Sequence, residues 1–326
     1  MRAGRRIALQ LALWLAACSS ASCWHVYSGS REPGCRDGLT YLEAEYTGAH
    51  RRERIDAKHG AKCQSTQPLV GFAPCDAGPH PVVIYVPGTV QPHDHAFILQ
   101  VLERLARRGH AAFSIGYDNF WPGQDCARYR ARARCIFDAE LETSALSTVC
   151  RLPGCDCERG VAVLGHSQGG MLAILAADYA PGVRWVHAMG VTANPPPTVS
   201  DLDCVLPGTR KLPAGRLLAA CGECDALFDG GRLNSCAGRS PGVSRGLRKL
   251  TGIACGSERA CVGRIGRGPR MGWIKVPGSR LRDKEADHCY MFHQGCLGPP
   301  DQDWMSDPSL PWGLPALIGD LERAFR

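Results

Sequence analysis

Two hydrophobic patterns alternate along the chain. Runs of adjacent apolar residues give way to stretches in which apolar residues recur every three or four positions. The clearest run, residues 81–86 (Pro-Val-Val-Ile-Tyr-Val), predicts a strand buried on both faces. Residues 111–115, 160–164, 183–191, 216–221 and 273–276 predict further strands. Between them, residues 96–108 have helical spacing, with Asp94 as candidate cap and Gly109 as stop. Helices are also predicted over 138–149, over 168–179 (closed by Pro181-Gly182), around 244–250, and over the amphipathic segment 314–325. Residues 117–135, rich in aromatics and arginine, read as a loop. Ahead of the core, residues 39–46 alternate and predict a strand or edge hairpin.

Strands alternating with helices imply an α/β fold, a mostly parallel sheet with helices on both faces. A chain of 326 residues, 44% hydrophobic, has ample material for one large core. No internal repeat, heptad pattern or long linker divides it. The expected organisation is a signal peptide over 1–17 (with 22–23 as the alternative end), then N-terminal strands and loops of the same domain over 24–80. The core then spans 81–326, with cap-like insertions at 194–213 and 224–272.

Cysteine content narrows the compartment. Eighteen cysteines argue for an oxidising environment, since cytosolic reductants would hold them as thiols. The N-terminus agrees: Arg2, Arg5 and Arg6 form a basic start, and residues 7–17 an apolar stretch too short to span a bilayer. Leu15-Ala16-Ala17-Cys18 resembles a bacterial lipobox, which would make Cys18 a lipidated N-terminus and attach the protein to a membrane. Ordinary cleavage near Ser20–Cys23 is the competing outcome. Cleavage beyond Cys23 would leave sixteen cysteines, an even number, whereas lipidation of Cys18 leaves seventeen others, an odd one. Either way the chain is expected to be exported, as a secreted, periplasmic or outer-membrane lipoprotein form. Cys255/Cys261 and Cys289/Cys296 are candidate short-loop bridges; Cys150, Cys155 and Cys157 suggest a staple. Net charge is +7, but three of those positive charges precede the expected cleavage point. The other arginines are interspersed with acids, without the aromatic-basic interleaving of a nucleic-acid surface.

The chemistry concentrates at Gly165-His166-Ser167-Gln168-Gly169, between a buried-type strand and an Ala/Leu-rich helix. A Gly-x-Ser-x-Gly turn in that context exposes its serine at a sharp strand-to-helix corner, and the glycines avoid collisions around it. Ser167 is therefore the candidate nucleophile. A serine hydroxyl needs a base to take its proton as it attacks.

On Pro87-Gly88-Thr89, Gly165-His166-Ser167-Gln168-Gly169, Gly222-Glu223-Cys224-Asp225 and Asp287-His288, the chain resembles the α/β-hydrolase family of esterase-like and lipase-like serine hydrolases over roughly residues 80–326. Each motif follows a predicted strand, in the order serine, acid, histidine. The resemblance implies His288 as base, with His293 in reserve. It implies Asp225 as the acid orienting that base, with Glu223, Asp203 and Asp229 as alternatives. It implies an oxyanion hole from the backbone N–H groups of Gln168 and Thr89, with Val90 the alternative to Thr89. The expected activity is cleavage of a small-molecule or lipid ester through an acyl-enzyme, with no cofactor or metal. A peptidase, thioesterase or polyester depolymerase would use the same residues, and a silent binder of apolar ligands could share the scaffold.

Three other signals carry less. His93-Asp94-His95 has no matching ligand set at zinc-like spacing and reads as a surface loop. Cys221-Gly-Glu-Cys224 has redox-motif spacing, but so many neighbouring cysteines favour a structural disulfide. Phe120, Trp121 and Tyr117 fit a substrate pocket and core packing equally well.

Overall fold

Alternation along the first core strand builds both sides of the molecule at once. In the computed structural model, every residue of His80–Val86 is buried. Val82, Ile84 and Val86 enter one hydrophobic cluster, and Val83 and Tyr85 the other. The structure describes residues 34–49, 63–76, 78–119, 125–194, 202–225, 241–293, 296 and 298–326. The segment expected to be a signal peptide, with Cys18, and Phe120, Trp121 and Asp229 lie outside these.

Ten strands among the described residues form one sheet. They are β1 (Cys35–Arg36), β2 (Leu39–Ala49), β3 (Cys63–Pro74), β4 (His80–Val86) and β5 (Ala111–Ile115). Then come β6 (Cys155–His166), β7 (Val183–Met189), β8 (Leu217–Gly222), β9 (Ala260–Arg264) and β10 (Arg270–Val276). Their order is β1-β2-β3-β5-β4-β6-β7-β8-β10-β9. The run from β5 through β4, β6, β7 and β8 to β10 is parallel throughout. The N-terminal strands and β9 join antiparallel at the two edges.

Helices α1 (Ala96–Ala106), α2 (Cys126–Phe137), α3 (Ala145–Cys150), α4 (Gln168–Ile174), α5 (Pro241–Thr251) and α6 (Leu314–Ala324) cover the sheet. Leu99 and Leu102 of α1 and Leu317 and Leu321 of α6 pack on one face. Ile136 of α2, Val149 of α3, Met171 of α4 and Leu247 of α5 pack on the other. The expected class, α/β with helices on both faces, is what the chain adopts.

Several expectations change. The segment read as a loop over 117–135 holds α2, which Asp125 starts by accepting a hydrogen bond from Arg128 N at 2.9 Å. The helix expected over 138–149 starts only at Ala145, under a Ser144 cap, because Asp138 turns the chain by accepting from Glu140 N. His95, rather than Asp94, caps α1: its Nδ1 accepts from Phe97 N. The helix expected over 168–179 breaks after Ile174 and resumes at Ala176–Tyr179. β3 had no counterpart in the hydrophobic pattern, since its first half is polar and Pro68 interrupts it. Yet the carbonyl of Pro68 accepts from Gly116 N at 2.8 Å beside β5.

Among the described residues, disulfides join Cys35–Cys75, Cys63–Cys135, Cys126–Cys204, Cys150–Cys157, Cys255–Cys261 and Cys289–Cys296. Both short-loop bridges expected near the C-terminal half are present. Within the staple, Cys155 remains a thiol that burial pushes up to about 12. The bridge expected between Cys221 and Cys224 does not form: Cys224 is disulfide-bonded, whereas Cys221 is a buried thiol. No helix of the described residues is long and apolar enough to cross a membrane.

Candidate active site

The serine turn follows from steric necessity. Ser167 has φ 53° and ψ −121°, a conformation that non-glycine residues rarely adopt. A Cβ at Gly165 would collide with the carbonyl of Gly169, and a Cβ at Gly169 with the carbonyl of Val86. Only glycine fits either place. β6 can therefore turn into α4 with the serine half-buried at the corner, held by Ser167 N donating to Met189 O at 2.8 Å.

The acid and the histidine come from two neighbouring strand ends. β8 ends at Gly222, and its turn brings Asp225 back so that Asp225 N donates to Gly222 O at 3.2 Å. β10 ends at Val276, and the loop beyond it carries His288. The two segments touch directly at Gly222, where a Cβ would collide with the carbonyls of Ala286 and Asp287. Cys224 N donates to Ala286 O at 2.8 Å, and Gly278 N to the Glu223 carboxylate at 2.6 Å.

This arrangement places His288 Nδ1 2.8 Å from Asp225 Oδ2, with the Asp225 side chain wholly buried and that of His288 12% exposed. Burial works against the imidazolium. The charge of Asp225, its hydrogen bond and the charge of Asp287 outweigh it, holding His288 above the usual histidine range. Asp287 itself is pushed up, mainly by its own burial.

His166 ties the serine corner to the histidine loop. Its Nε2 lies 3.1 Å from the carbonyl of His288, and the two rings stand 5.1 Å apart. A carbonyl only accepts, so His166 Nε2 carries the hydrogen. Burial first, and the charge of His288 second, push His166 down to about 3, so this ring is neutral.

Opposite, the turn after β4 approaches the serine. A Cβ at Gly88 would stand 2.9 Å from His166 Nδ1 and 3.2 Å from Ser167 Cβ. Neutral side chains hold this turn. Gly88 N donates to Gln91 Oε1 at 3.0 Å, while Asn119 Nδ2 donates to the carbonyls of Gly88 and Gln91 at 2.7 and 2.8 Å. Tyr117 donates from its hydroxyl to Pro87 O at 2.8 Å and stands 3.2 Å from Gln168 Oε1. Of the two options for Tyr117, the buried structural one describes it. Thr89 is half-buried beside Val90, which is exposed with φ 55°.

The alternatives lie elsewhere. His293 Nδ1 pairs with Asp283 at 3.3 Å, Glu223 braces Gly278 N, and Asp203 begins a separate short helix, Asp203–Val205. Gln91, Asn119, His166 and Cys221 are the site residues that sequence reasoning did not assign. For Cys221 the spacing pointed to a bridge, and His166 stood at the variable position of the serine motif; Gln91 and Asn119 left no motif.

No family model matches the sequence, and no curated protein matches it. Solved structures resemble it at low identity. The esterase Est22 is 15% identical over 71% of this chain and 74% of its own, with a TM-score of 0.40. An S-formylglutathione hydrolase from Agrobacterium tumefaciens is 16% identical over 62% and 82%, with a TM-score of 0.41. A bacterial brefeldin A esterase is 15% identical over 71% and 70%, with a TM-score of 0.39. At such values no activity transfers to this chain, whose chemistry has to be read from its own side chains. The sheet, parallel from β5 to β10 with helices on both faces and a strained serine turn between β6 and α4, has the α/β-hydrolase fold.

Proposed function

We propose that this protein is an exported serine hydrolase that cleaves a carboxylic ester through an acyl-enzyme. The observation that carries the reading is the Asp225–His288 pair, 2.8 Å apart and shielded from solvent, on a loop bonded to the serine corner. In this reading Ser167 Oγ attacks the ester carbonyl while His288 Nε2 takes its proton, Nδ1 being engaged by Asp225. The backbone N–H groups of Gln168 and Thr89 hold the oxyanion. His288 then returns the proton to the departing alkoxide, and a water activated by the same base hydrolyses the acyl-serine. None of these steps calls for a metal or cofactor. Small-molecule or lipid esters are the substrate class.

Export is part of the proposal: the disulfides suit an oxidising compartment. Membrane attachment would run through a lipidated Cys18. Mass spectrometry of the mature N-terminus separates that form from one cleaved near residues 20–23.

A fluorophosphonate probe should label native protein at Ser167, and p-nitrophenyl esters of graded chain length should be hydrolysed. Ser167→Ala should lose both. Folded protein that takes no label and turns over no ester would instead be a ligand-binding protein on a hydrolase scaffold.

A further inference from the structure

Cys221 is the buried nucleophilic group for which the acyl-transfer scheme has no use. It occupies the next-to-last position of β8, four residues before Asp225, and both side chains are inaccessible to solvent. The turn at Gly222 folds the carboxylate back over the strand end, so that Cys221 Sγ lies 3.1 Å from Asp225 Oδ2. That is the same oxygen that faces His288 Nδ1 at 2.8 Å. An ionised carboxylate only accepts hydrogen bonds, so the thiol is the donor.

We propose that Cys221 is a positioning residue for the acid: its S–H fixes Asp225 Oδ2 in line with the imidazole and withdraws part of the negative charge felt by His288. The catalytic meaning rests on the hydrolase reading, whereas the hydrogen bond and its effect on the imidazole do not.

Two features make the role specific. A cysteine committed to a structural bridge could not donate, and here Cys224 is bridged while Cys221 keeps its hydrogen. The shared oxygen also makes the two donors compete for one site of charge. Removing the thiol concentrates charge on Oδ2, binds the imidazolium more tightly and moves His288 to a higher titration point. Among the described residues, the other titratable groups facing Asp225 are His166 on β6 and Asp287 and Tyr290 on the histidine loop. Of these, Tyr290 also faces Cys221, and burial holds its hydroxyl neutral well above the range in which His288 is followed.

The test is an NMR titration of the His288 ring in the full chain, assigned by its loss in His288→Asn. It compares wild type with Cys221→Ala, Cys221→Val and Cys221→Ser. The alanine and valine variants should titrate about half a unit higher, the share expected of a weak thiol donor to a charged acceptor. Cys221→Ser, which keeps a donor, should stay close to wild type. Valine fills the space of the thiol without offering a donor and stands in if alanine does not fold. In turnover, the acidic limb of kcat/KM should move up in parallel and kcat fall about threefold with KM unchanged. A ring that titrates as in wild type in both donor-free variants overturns the inference, whatever happens to stability. Because the titration needs no turnover, a wild type that fails to label at Ser167 defeats the hydrolase reading and leaves this measurement standing.

Discussion

The corner that carries Asp225 and His288 and the turn that carries Thr89 both press against the serine strand, but different chemistry holds them there. At the acid–histidine corner a buried carboxylate faces an imidazole at 2.8 Å, with a thiol on the same oxygen and Asp287 nearby. At the opposite turn the work is done by Gln91, Asn119 and Tyr117, all uncharged, bonding to backbone atoms. A charged corner answers to pH and to the removal of single charges. A neutral brace should answer only to lost geometry. Under the proposed function, the first side sets when the base is competent and the second sets where the oxyanion lands.

The largest effect should come at the point both sides serve. Ser167→Ala should lower ester turnover by about a millionfold, as when the nucleophile of a comparable triad is removed. Asp225→Asn should follow at about ten-thousandfold, because an amide no longer stabilises the imidazolium. It should also move the acidic limb of the residual activity down, since the influence holding His288 high is gone. A limb unchanged in Asp225→Asn would break the contrast between the two sides.

What the sequence disclosed follows the same division. The parallel strands were legible because burial on both faces leaves unbroken apolar runs such as 81–86. The strained turn at Ser167 was legible because it tolerates only glycine at 165 and 169. Asp225 and His288 were paired by the resemblance, from their places after strands, and the structure sets them 2.8 Å apart, a separation that nothing in the sequence could state. α2 was hidden because its exposed face is arginine, so a buried stripe of Tyr129, Ala133 and Ile136 read as loop. Cys221 was misread because a spacing says nothing about which cysteine Cys224 meets. Gln91 and Asn119 left no trace at all: a neutral side chain bonded to distant backbone imposes no spacing on the chain.

Asn119→Ala tests the neutral brace. It deletes two hydrogen bonds, to Gly88 O and Gln91 O, without touching a charge. Loss of an oxyanion donor itself costs about a hundredfold or more, so loosening its support should reduce kcat by about tenfold. The acidic limb should stay where it is in wild type. A pH–rate profile that shifts with Asn119→Ala would show that the two sides are not independent.

The smallest effect is on stability, and it separates His166 from His288, although the two rings stand only 5.1 Å apart. His166 is held at about 3, against about 6.5 in an unfolded chain. Between those values the unfolded chain binds a proton that the native state refuses, so stability falls as pH falls, by about 1.4 kcal/mol per unit for one group. His110, held at about 4, and His187, at about 3, act in the same direction, each chiefly through burial. His288 has the opposite sign. Its folded value is raised, so its contribution is complete below the unfolded value and is lost as pH rises through the folded one. Urea unfolding from pH 4.5 to 6 should therefore show stability rising with pH, with a slope that drops by about one proton in His166→Gln. The same substitution should leave in place the loss that follows as pH rises through the raised His288 value, because Asp225 still holds His288. If His166→Gln removed that upper limb as well, the neutral ring and the charged one would be titrating as a single unit, and the charged corner would extend under the serine itself.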